Sequence, residues 1–572
     1  MVNLTINHRP VAVPEGTTIL KAAESIGVHI PTLCYWEGLN EVGACRACMV
    51  EVEGMQKLAA ACVTEATEGM SVLTDSSRAR LARKTNVELI LSQHNCNCAY
   101  CARSGNCSLQ KLSNDLGVTG IPFAVKREPT YWDPTLPLQR DAGKCIKCLR
   151  CIQVCEHIQT LGVWDLKNTG SRSTVAVREG LNLTDVNCAL CGQCVTHCPV
   201  GALQARDDTE RAFKAIADPD LITVVQIAPA VRGAWGQYFG MKPEEATVGK
   251  MVASLKAMGI DYVFDTDFSA DMTIMEEGSE FLQRLSQKGR HVFPMFTSCC
   301  PGWVRFLKSE YPDMLDQLST AKSPQQMFGA IIKYMLSLRL DVDPSRIFVI
   351  SIMPCMAKKG ECELPDMYDE AGNADVDLVL TTREFVRMLR ARCLKAENLA
   401  EEPFDAPFAE ATGAGVIFGT TGGVMEAALR SAYFLATGEL PGADAFSDVR
   451  GEADKRIEAS FKVGDTLVRT AVVSGLGNAR ALIEDVRAGR AEYDFVEVMA
   501  CPGGCAGGGG QPISLCGSRA GEIADNLRRL DKTNKIRFSH ENPDVQTLYR
   551  EVLGKPGSHL AHKLLHTDHH KK

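Results

Sequence analysis

The sequence predicts a multidomain chain of mixed α+β and α/β architecture. Its 572 residues are too many for a single hydrophobic core, so three or more domains are expected. Cysteine cassettes occupy the first 210 residues, whereas the rest alternates buried strand-like runs with helical stretches. Three more cysteine segments lie where an apolar run stops and a Pro or Gly turn begins, which is where an α/β domain presents loops to a site.

Domain boundaries follow from these patterns. Residues 1–78 begin with hairpin-like alternation over Val2–Ile6 and Val11–Val13, and then an amphipathic helix over Thr17–Ile26. Residues 79–121 are mostly helical, and residues 138–207 hold two cysteine cassettes. Residues 210–512 form the largest domain, with buried strands predicted at Thr223–Ala228, Ile347–Met353, Val416–Phe418 and Phe495–Met499. Residues 513–572 form a small, mainly helical segment with a solvated tail that carries His559, His562, His566, His569 and His570.

Composition excludes several classes of function. The net charge is −8 and the pI about 5.9, so no basic stripe indicates nucleic acid binding. The first ten residues lack the basic-then-apolar layout of a signal peptide, and apolar runs such as Leu221–Val231 are too short to span a bilayer. We therefore expect a cytoplasmic protein without membrane or nucleic acid partners.

The 24 cysteines allow three interpretations. Disulfides are typical of small secreted domains, and this chain is large and has no export signal. Zinc would explain one or two of the paired C-x2-C motifs. It does not explain the triplets of the form C-x2-C-x2-C, which are iron–sulfur spacing. The pattern therefore favours iron–sulfur clusters.

Two cassettes in residues 138–207 have the spacing of bacterial two-cluster ferredoxins. In such ferredoxins the fourth cysteine of each run ligates the other cluster. One 4Fe–4S cluster is thus predicted on Cys145, Cys148, Cys151 and Cys198, and the other on Cys188, Cys191, Cys194 and Cys155.

The three segments of the second half carry the most specific signal. They are T-S-C-C-P-G-W at Thr297–Trp303, M-P-C-M-A-K-K-G-E at Met353–Glu361 and M-A-C-P-G-G-C-A-G-G-G-G-Q-P at Met499–Pro512. Thiolates crowded by Pro and Gly suggest a buried cluster that the backbone approaches closely. Together the segments closely resemble the signature motifs of the FeFe-hydrogenases. The upstream spacings match the large clostridial-type members, so the resemblance spans nearly the whole chain.

The resemblance also covers the N-terminal cysteines. C-x10-C-x2-C-x13-C is similar to the β-grasp 2Fe–2S ferredoxin domain of that family and of complex I-type subunits, which implies a 2Fe–2S cluster on Cys34, Cys45, Cys48 and Cys62. H-x3-C-x2-C-x5-C resembles the His-ligated 4Fe–4S cluster of the same families, which implies the ligands His94, Cys98, Cys101 and Cys107.

In the large domain the resemblance implies a catalytic H-cluster. Its 4Fe–4S part would be held by Cys300, Cys355, Cys501 and Cys505, with Cys505 bridging to a diiron unit that carries CO, cyanide and an azadithiolate. Without the resemblance, the residues justify only a cluster held by four cysteines.

The resemblance also implies which residues line the pocket. Lys358 matches the lysine that holds one cyanide, and the remaining pocket matches are Ala228, Pro229, Ala230, Gln325, Met353, Phe418 and Met499. Many relatives have Ser where Ala230 stands, so only backbone donation is available there. Cys362, Cys393 and Cys516 fall outside the motifs.

A proton route is expected beside this pocket. Cys299 is the spare member of an adjacent pair, and by the resemblance it exchanges protons with the bridging amine. Glu277, Glu280 and Arg284 recur at i, i+3 and i+7 on one helical face. They match the family's path, which would run from Cys299 through Glu277, Ser319 and Glu280 to Arg284.

The function so implied is reversible oxidation of H2 to protons and electrons. Electrons would pass to ferredoxin, to NAD(P) through flavoprotein and iron–sulfur partner subunits, or to both, and maturation proteins would supply the diiron unit. No G-x-G-x-x-G fingerprint follows a strand, so an NAD(P) route needs partners. The alternative is an H2 sensor or a non-catalytic iron–sulfur protein of the same fold. Intact motifs including Cys299 argue against the non-catalytic relatives, and no appended signalling domain is visible.

Overall fold

A small twisted sheet forms the first unit of the molecule. The computed structural model describes residues 1–125, 131–442, 444–451, 456–464, 466–515 and 517–571, without the side chain of residue 171. The first elements are β1 (Val2–Ile6), β2 (Arg9–Val13), α1 (Ile19–Ser25), β3 (Met49–Val52), β4 (Ala59–Ala60) and β5 (Ser71–Leu73). The strand order is β2-β1-β5-β3-β4, and β1 and β2 form the predicted antiparallel hairpin. The predicted helix is confirmed as α1, which Thr18 caps by accepting from Lys21 N.

The cysteine cassettes that follow are mostly loop, with short elements between them. These are α2 (Ser77–Gln93), α3 (Ser108–Asp115), β6 (Leu138–Arg140), α4 (Arg150–Gln153), β7 (Trp164–Lys167), β8 (Thr174–Val177), α5 (Gln193–His197) and β9 (Leu203–Ala205). Two two-stranded sheets, β6-β9 and β7-β8, brace this part. Buried cysteines and large apolar side chains together form its core.

The largest part is α/β. Its elements are α6 (Thr209–Ala217), β10 (Ile222–Ile227), α7 (Pro229–Arg232), α8 (Val248–Met258), β11 (Tyr262–Asp265), α9 (Thr266–Ser286), β12 (Met295–Phe296), α10 (Pro301–Glu310), α11 (Pro324–Leu340), β13 (Ile347–Met353), α12 (Ala357–Glu361), β14 (Leu378–Thr381), α13 (Thr382–Ala391), α14 (Gly413–Ile417), α15 (Gly423–Thr437), β15 (Ile457–Val463), β16 (Thr466–Ser474), α16 (Leu476–Arg487) and β17 (Phe495–Met499).

Two four-stranded sheets organise these elements. The first, β11-β10-β13-β14, is wholly parallel, and the second, β12-β17-β16-β15, is parallel except for the β15-β16 pair. The central strands are apolar runs buried on both faces, which suits parallel strands covered by helices. The predicted strands at Thr223–Ala228, Ile347–Met353 and Phe495–Met499 are thereby confirmed as β10, β13 and β17.

The strand predicted at Val416–Phe418 is wrong. These residues end α14, a short helix that Thr412 caps by accepting from Gly415 N. The apolar run is only three residues long between glycines, and such a run does not distinguish a strand from a buried helical turn. Close packing selects the helix, since a Cβ at Gly415 would lie 2.5 Å from Asp267 O on α9.

The C-terminal part is helical, as predicted, but its tail is not wholly solvated. It contains α17 (Ala520–Thr533), α18 (Pro543–Leu548), a π-helical turn (Tyr549–Leu553) and α19 (His559–Leu565). His559, His562 and His570 are exposed, whereas His566 is buried and His569 is partly buried against the large domain. Sequence alone could not reveal this docking, because a histidine-rich end has no apolar periodicity. Among the described residues, none of the helices has the length and apolar character needed to cross a bilayer.

Candidate active site

Loops at the carboxyl ends of three buried strands converge on one cavity. After β10 comes α7, after β13 comes Cys355, and after β17 comes Cys501. Cys300 is the N-cap of α10, whose first residue is a proline that needs no backbone partner there. Carboxyl ends of parallel strands are where α/β domains bind ligands.

The cavity measures about 70 Å³ and is mostly apolar. Every pocket residue predicted from the sequence lines it, together with Cys299, Cys355, Lys358 and Cys505. The predicted lining residues are Ala228, Pro229, Ala230, Gln325, Met353, Phe418 and Met499. Thr266, Ala270, Pro324, Pro354 and Gly419 also line it and were not predicted. They carry no motif of their own and reach the cavity only through the fold.

The four predicted cluster ligands of this domain are free thiols, of which Cys501 is buried and the other three are partly buried. Burial raises the pKa of Cys300 and Cys501, and raises that of Cys355 to about 11, while neighbouring thiols add to the shift for Cys501 and Cys355. Thiols in such a dry pocket ionise readily only when a metal neutralises them. The donor set therefore fits an iron–sulfur cluster, and that it holds one remains a prediction.

Glycines let the last motif wrap closely around its neighbours. A Cβ at Gly509 would lie 2.4 Å from Cys191 O, and one at Gly510 would lie 2.8 Å from the carbonyl carbon of Pro354. The Gly507–Gly510 run thus touches both a ferredoxin-like cassette and the Cys355 turn. Cys501 Sγ also lies 3.6 Å from Cys191 O, so the two cysteine sites meet here.

A buried carboxylate orients Lys358. Lys358 Nζ lies 2.9 Å from Glu361 Oε2 and donates to Cys299 O at 3.2 Å. The same oxygen of Glu361 accepts from Ser323 Oγ and Gln325 Nε2. Burial lowers the pKa of Lys358, but Glu361 outweighs it and the net pKa is raised, so the lysine is charged. Glu361 was missed by sequence reasoning, although its i, i+3 spacing from Lys358 was a readable signal.

Cys299 and Glu277 are both enclosed. Burial, with the Glu277 charge next, raises the pKa of Cys299 well above its ordinary value. Burial and then Glu280 raise the pKa of Glu277 to about 8. Ser298 N donates to Glu277 Oε1 at 3.4 Å, while in the described part of the chain Glu277 Oε2 has no hydrogen-bond partner.

The other predicted members of the proton route follow outwards along α9. Ser319 Oγ donates to Glu280 Oε2 at 2.8 Å, and Thr320 N donates to the same oxygen at 3.1 Å. Arg284 Nη2 lies 2.5 Å from Glu280 Oε1 and 2.8 Å from Leu318 O. Hydrogen bonds therefore link Ser319, Glu280 and Arg284, and Glu277 lies one turn earlier on α9; that these residues carry protons stays a prediction.

Both ferredoxin-like cysteine sets surround cavities of about 20 Å³. One cavity is lined by Cys145, Cys148, Cys151 and Cys198, and the other by Cys155, Cys188, Cys191 and Cys194. This is the exchange of the fourth cysteine that the cassettes predict, although the ligand roles themselves remain predictions. Trp164 lines both cavities.

The N-terminal cysteines divide into two groups. Cys34, Cys45, Cys48 and Cys62 are buried; Cys48 Sγ lies 3.3 Å from Cys62 Sγ, and Cys34 N donates to Cys45 Sγ at 3.3 Å. His94 follows α2 and is buried, whereas Cys98 and Cys101 bound a 3-10 turn and Cys107 precedes α3. Arg150 Nε donates to Cys34 O at 3.0 Å, which joins the first group to the cassettes.

Within the described ranges, no three His, Cys, Asp or Glu side chains converge as a single metal ion requires. A tetrahedral zinc holds its sulfur ligands at about 2.3 Å, whereas a cluster spreads them over several irons. Cys516 lies outside the described residues.

Five family descriptions match the chain. "Iron only hydrogenase large subunit, C-terminal domain" matches residues 221–509, and "Iron hydrogenase small subunit" matches 523–572. "2Fe-2S iron-sulfur cluster binding domain" matches 1–77, "NADH-ubiquinone oxidoreductase-G iron-sulfur binding region" 83–122 and "4Fe-4S dicluster domain" 144–202.

Individual hydrogenases are also similar to this chain. The chain is 46% identical to the NADP-reducing hydrogenase subunit HndD of Solidesulfovibrio fructosivorans, over 100% of this chain and 99% of that one. It is 36% identical to iron hydrogenase 1 of Clostridium pasteurianum, over 100% of both. A solved variant of the [FeFe]-hydrogenase HydA1 from Chlamydomonas reinhardtii superposes with a TM-score of 0.57 at 39% identity, covering 63% of this chain and 98% of that one.

Proposed function

The chain belongs to the iron-only hydrogenase large-subunit family, an oxidoreductase family acting on H2, and from that premise we propose how its residues perform the reaction. The reaction is reversible: two protons and two electrons combine to H2. The observation that carries the proposal is the single cavity in which Cys355, Cys505 and Lys358 face Cys299.

Iron–sulfur clusters and an H-cluster are the cofactors. We assign the catalytic 4Fe–4S part to Cys300, Cys355, Cys501 and Cys505, and three accessory 4Fe–4S clusters and one 2Fe–2S cluster to the cysteines and His94 named above. When bound, the H-cluster supplies the metal centre at which H2 is split or formed. The soft side chains of Met353 and Met499 fill the apolar space around it. Lys358, charged and held by Glu361, neutralises anionic ligands there.

Protons move between this cavity and the surface. Cys299 exchanges a proton at its Sγ with Glu277, whose Oε2 has no hydrogen-bond partner among the described residues. Glu277, with a pKa near 8, both takes up and releases a proton near neutral pH. Ser319 then passes it to Glu280, and Arg284 marks the outer end.

Electrons leave through the cassettes. Cys191 adjoins Cys501, and Arg150 joins the cassettes to the 2Fe–2S set, and these contacts support a series from the catalytic domain through the cassettes to the 2Fe–2S domain. We propose the domains 1–78, 79–121, 138–207, 210–512 and 513–572, in a cytoplasmic protein. Because HndD is named a subunit of an NADP-reducing enzyme, we also propose NAD(P)-linked partner subunits, with ferredoxin as the other acceptor.

Metal content tests the assignment. Anaerobic iron analysis with EPR spectroscopy of the matured protein should give one 2Fe–2S signal and several 4Fe–4S signals. Zinc bound in place of iron would overturn it. Activity in both directions with an artificial dye separates the enzyme from an H2 sensor or a non-catalytic relative, neither of which turns over rapidly.

Copurification tests the partners. Anaerobic isolation from the native cell should recover flavoprotein subunits with this chain. In that complex, deletion of residues 1–78 should abolish NAD(P)-linked activity and leave dye-linked H2 evolution largely intact. Unchanged NAD(P) coupling would refute a docking role for the 2Fe–2S domain, and equal loss of both activities would indicate a role in folding.

A further inference from the structure

The end of the chain lies against the segment that carries Ser319. Residues 565–570, here called the C-terminal clamp, run beside residues 318–322. The backbone contacts are Lys322 N to Leu565 O at 2.7 Å, Thr567 N to Thr320 O at 2.8 Å, and an antiparallel bridge between Ala321 and His566. Strand-like pairing of this kind fixes the backbone of the partner segment.

His569 contacts the backbone of Ser319, whereas Glu280 contacts its side chain. His569 Nε2 lies 2.8 Å from Ser319 O, and a carbonyl only accepts, so Nε2 carries the proton and donates. Burial lowers the pKa of His569, which keeps the ring neutral and in this tautomer at neutral pH. The Ser319 hydroxyl donates to Glu280, so backbone and side chain of one residue are both held.

His566 ties the clamp to the helix that carries the two relay carboxylates. Its Nε2 lies 3.0 Å from Glu276 Oε2, and its Nδ1 lies 2.8 Å from Thr320 Oγ1. Glu276 is buried on α9 next to Glu277 and also accepts from Tyr549 Oη and Gly557 N. The clamp therefore spans α9 and the Ser319 segment and sets the distance between them.

We propose that the C-terminal clamp holds Ser319 in line between Glu277 and Glu280, and that His569 is a positioning residue for proton transfer. This rests on the proposed proton route. A hydroxyl relays a proton only when its oxygen stays within hydrogen-bond reach of both neighbours, so a small displacement of the backbone slows transfer. His569 touches neither H2 nor the reacting atoms and acts through Ser319.

The test uses the full-length, matured protein. His569→Ala removes the donor and should lower dye-linked turnover about tenfold, since a misplaced relay group costs rate steeply. The solvent deuterium isotope effect on turnover should rise, because proton transfer becomes the slow step, and the KM for the dye should not change. His569→Gln keeps an N–H donor and does not titrate, so it should retain most of the rate. His559→Ala, at an exposed position on α19 outside the clamp, is the matched control.

Each result decides the proposal. A purely structural defect would lower turnover without changing the isotope effect, and an equal loss in His569→Gln and His569→Ala would also overturn the positioning role. Because His569 acts through Ser319, the double variant should be no slower than Ser319→Ala, and a full further loss would contradict that. If Ser319→Ala turns over normally, the proton route fails along with the clamp. If Ser319→Ala is slow and His569→Ala is silent, the clamp alone fails.

Discussion

The electron side and the proton side of this molecule are assembled differently. The cysteines of the ferredoxin-like cassettes come from two short runs, and each set surrounds its own cavity. The proposed proton route combines Cys299, α9, the Ser319 segment and the C-terminal clamp, and the contact between His566 and Glu276 joins residues 290 positions apart. The comparison teaches that the predicted metal sites depend on local cysteine spacing, whereas the proposed proton transfer depends on tertiary alignment.

The largest expected effect compares two adjacent cysteines, Cys299 in the proposed proton route and Cys300 in the proposed metal site. Cys299→Ser should keep the iron complement and lose turnover by about 10²-fold or more, because a hydroxyl is a far weaker acid than a thiol. Cys300→Ser is the matched variant and should lose iron. Iron analysis and H2 evolution measure both effects. Loss of iron from Cys299→Ser would mean that the two roles are reversed.

Glu280→Gln should slow proton transfer and leave the metal site unchanged. It removes the titrating group and keeps the shape, so turnover should fall about 10²-fold. The infrared bands of the CO and cyanide ligands should remain, since Glu280 does not line the cavity. Glu244→Gln, at an exposed carboxylate, should change neither. Near-normal turnover in Glu280→Gln would show that protons leave elsewhere.

Glu361→Gln tests whether the metal pocket also depends on a local ion pair within its own motif. Loss of the carboxylate leaves the Lys358 charge buried without its partner, so Lys358 should shift and turnover should fall about tenfold. The cyanide infrared bands should shift as well. Glu363→Gln, two residues away and half exposed, is the control. Unchanged bands in Glu361→Gln would show that Lys358 needs no such support.

The smallest expected effect is on stability. The folded-state pKa of Glu277, near 8, lies above the ordinary 4.5, so between these values the folded protein binds more protons than the unfolded chain. Stability from this group is therefore present at low pH and lost as pH rises towards 8. Glu277→Gln should flatten that decline in the denaturation midpoint between about pH 5 and pH 9. An equal decline in the variant would assign it to other groups.

The sequence by itself determined the strands β10, β13 and β17 and the grouping of the ferredoxin-like cysteines, while the order of the proton route stays a prediction from the family resemblance. Apolar runs of five to seven residues and fixed cysteine spacings are local signals, and Glu277, Glu280 and Arg284 share one helical face. The predicted roles of Ser319 and Lys358 came from the family motifs, because the hydrophobic pattern around these residues indicates no role.

Only the tertiary structure decided the rest. It turned Val416–Phe418 into the end of a helix, because Gly415 packs directly on α9. It buried His566 and partly buried His569 against the Ser319 segment. Burial and the approach of distant segments set these contacts and the raised pKa of Glu277. The sequence specifies the side chains, whereas the fold determines which of them are desolvated and which come into contact.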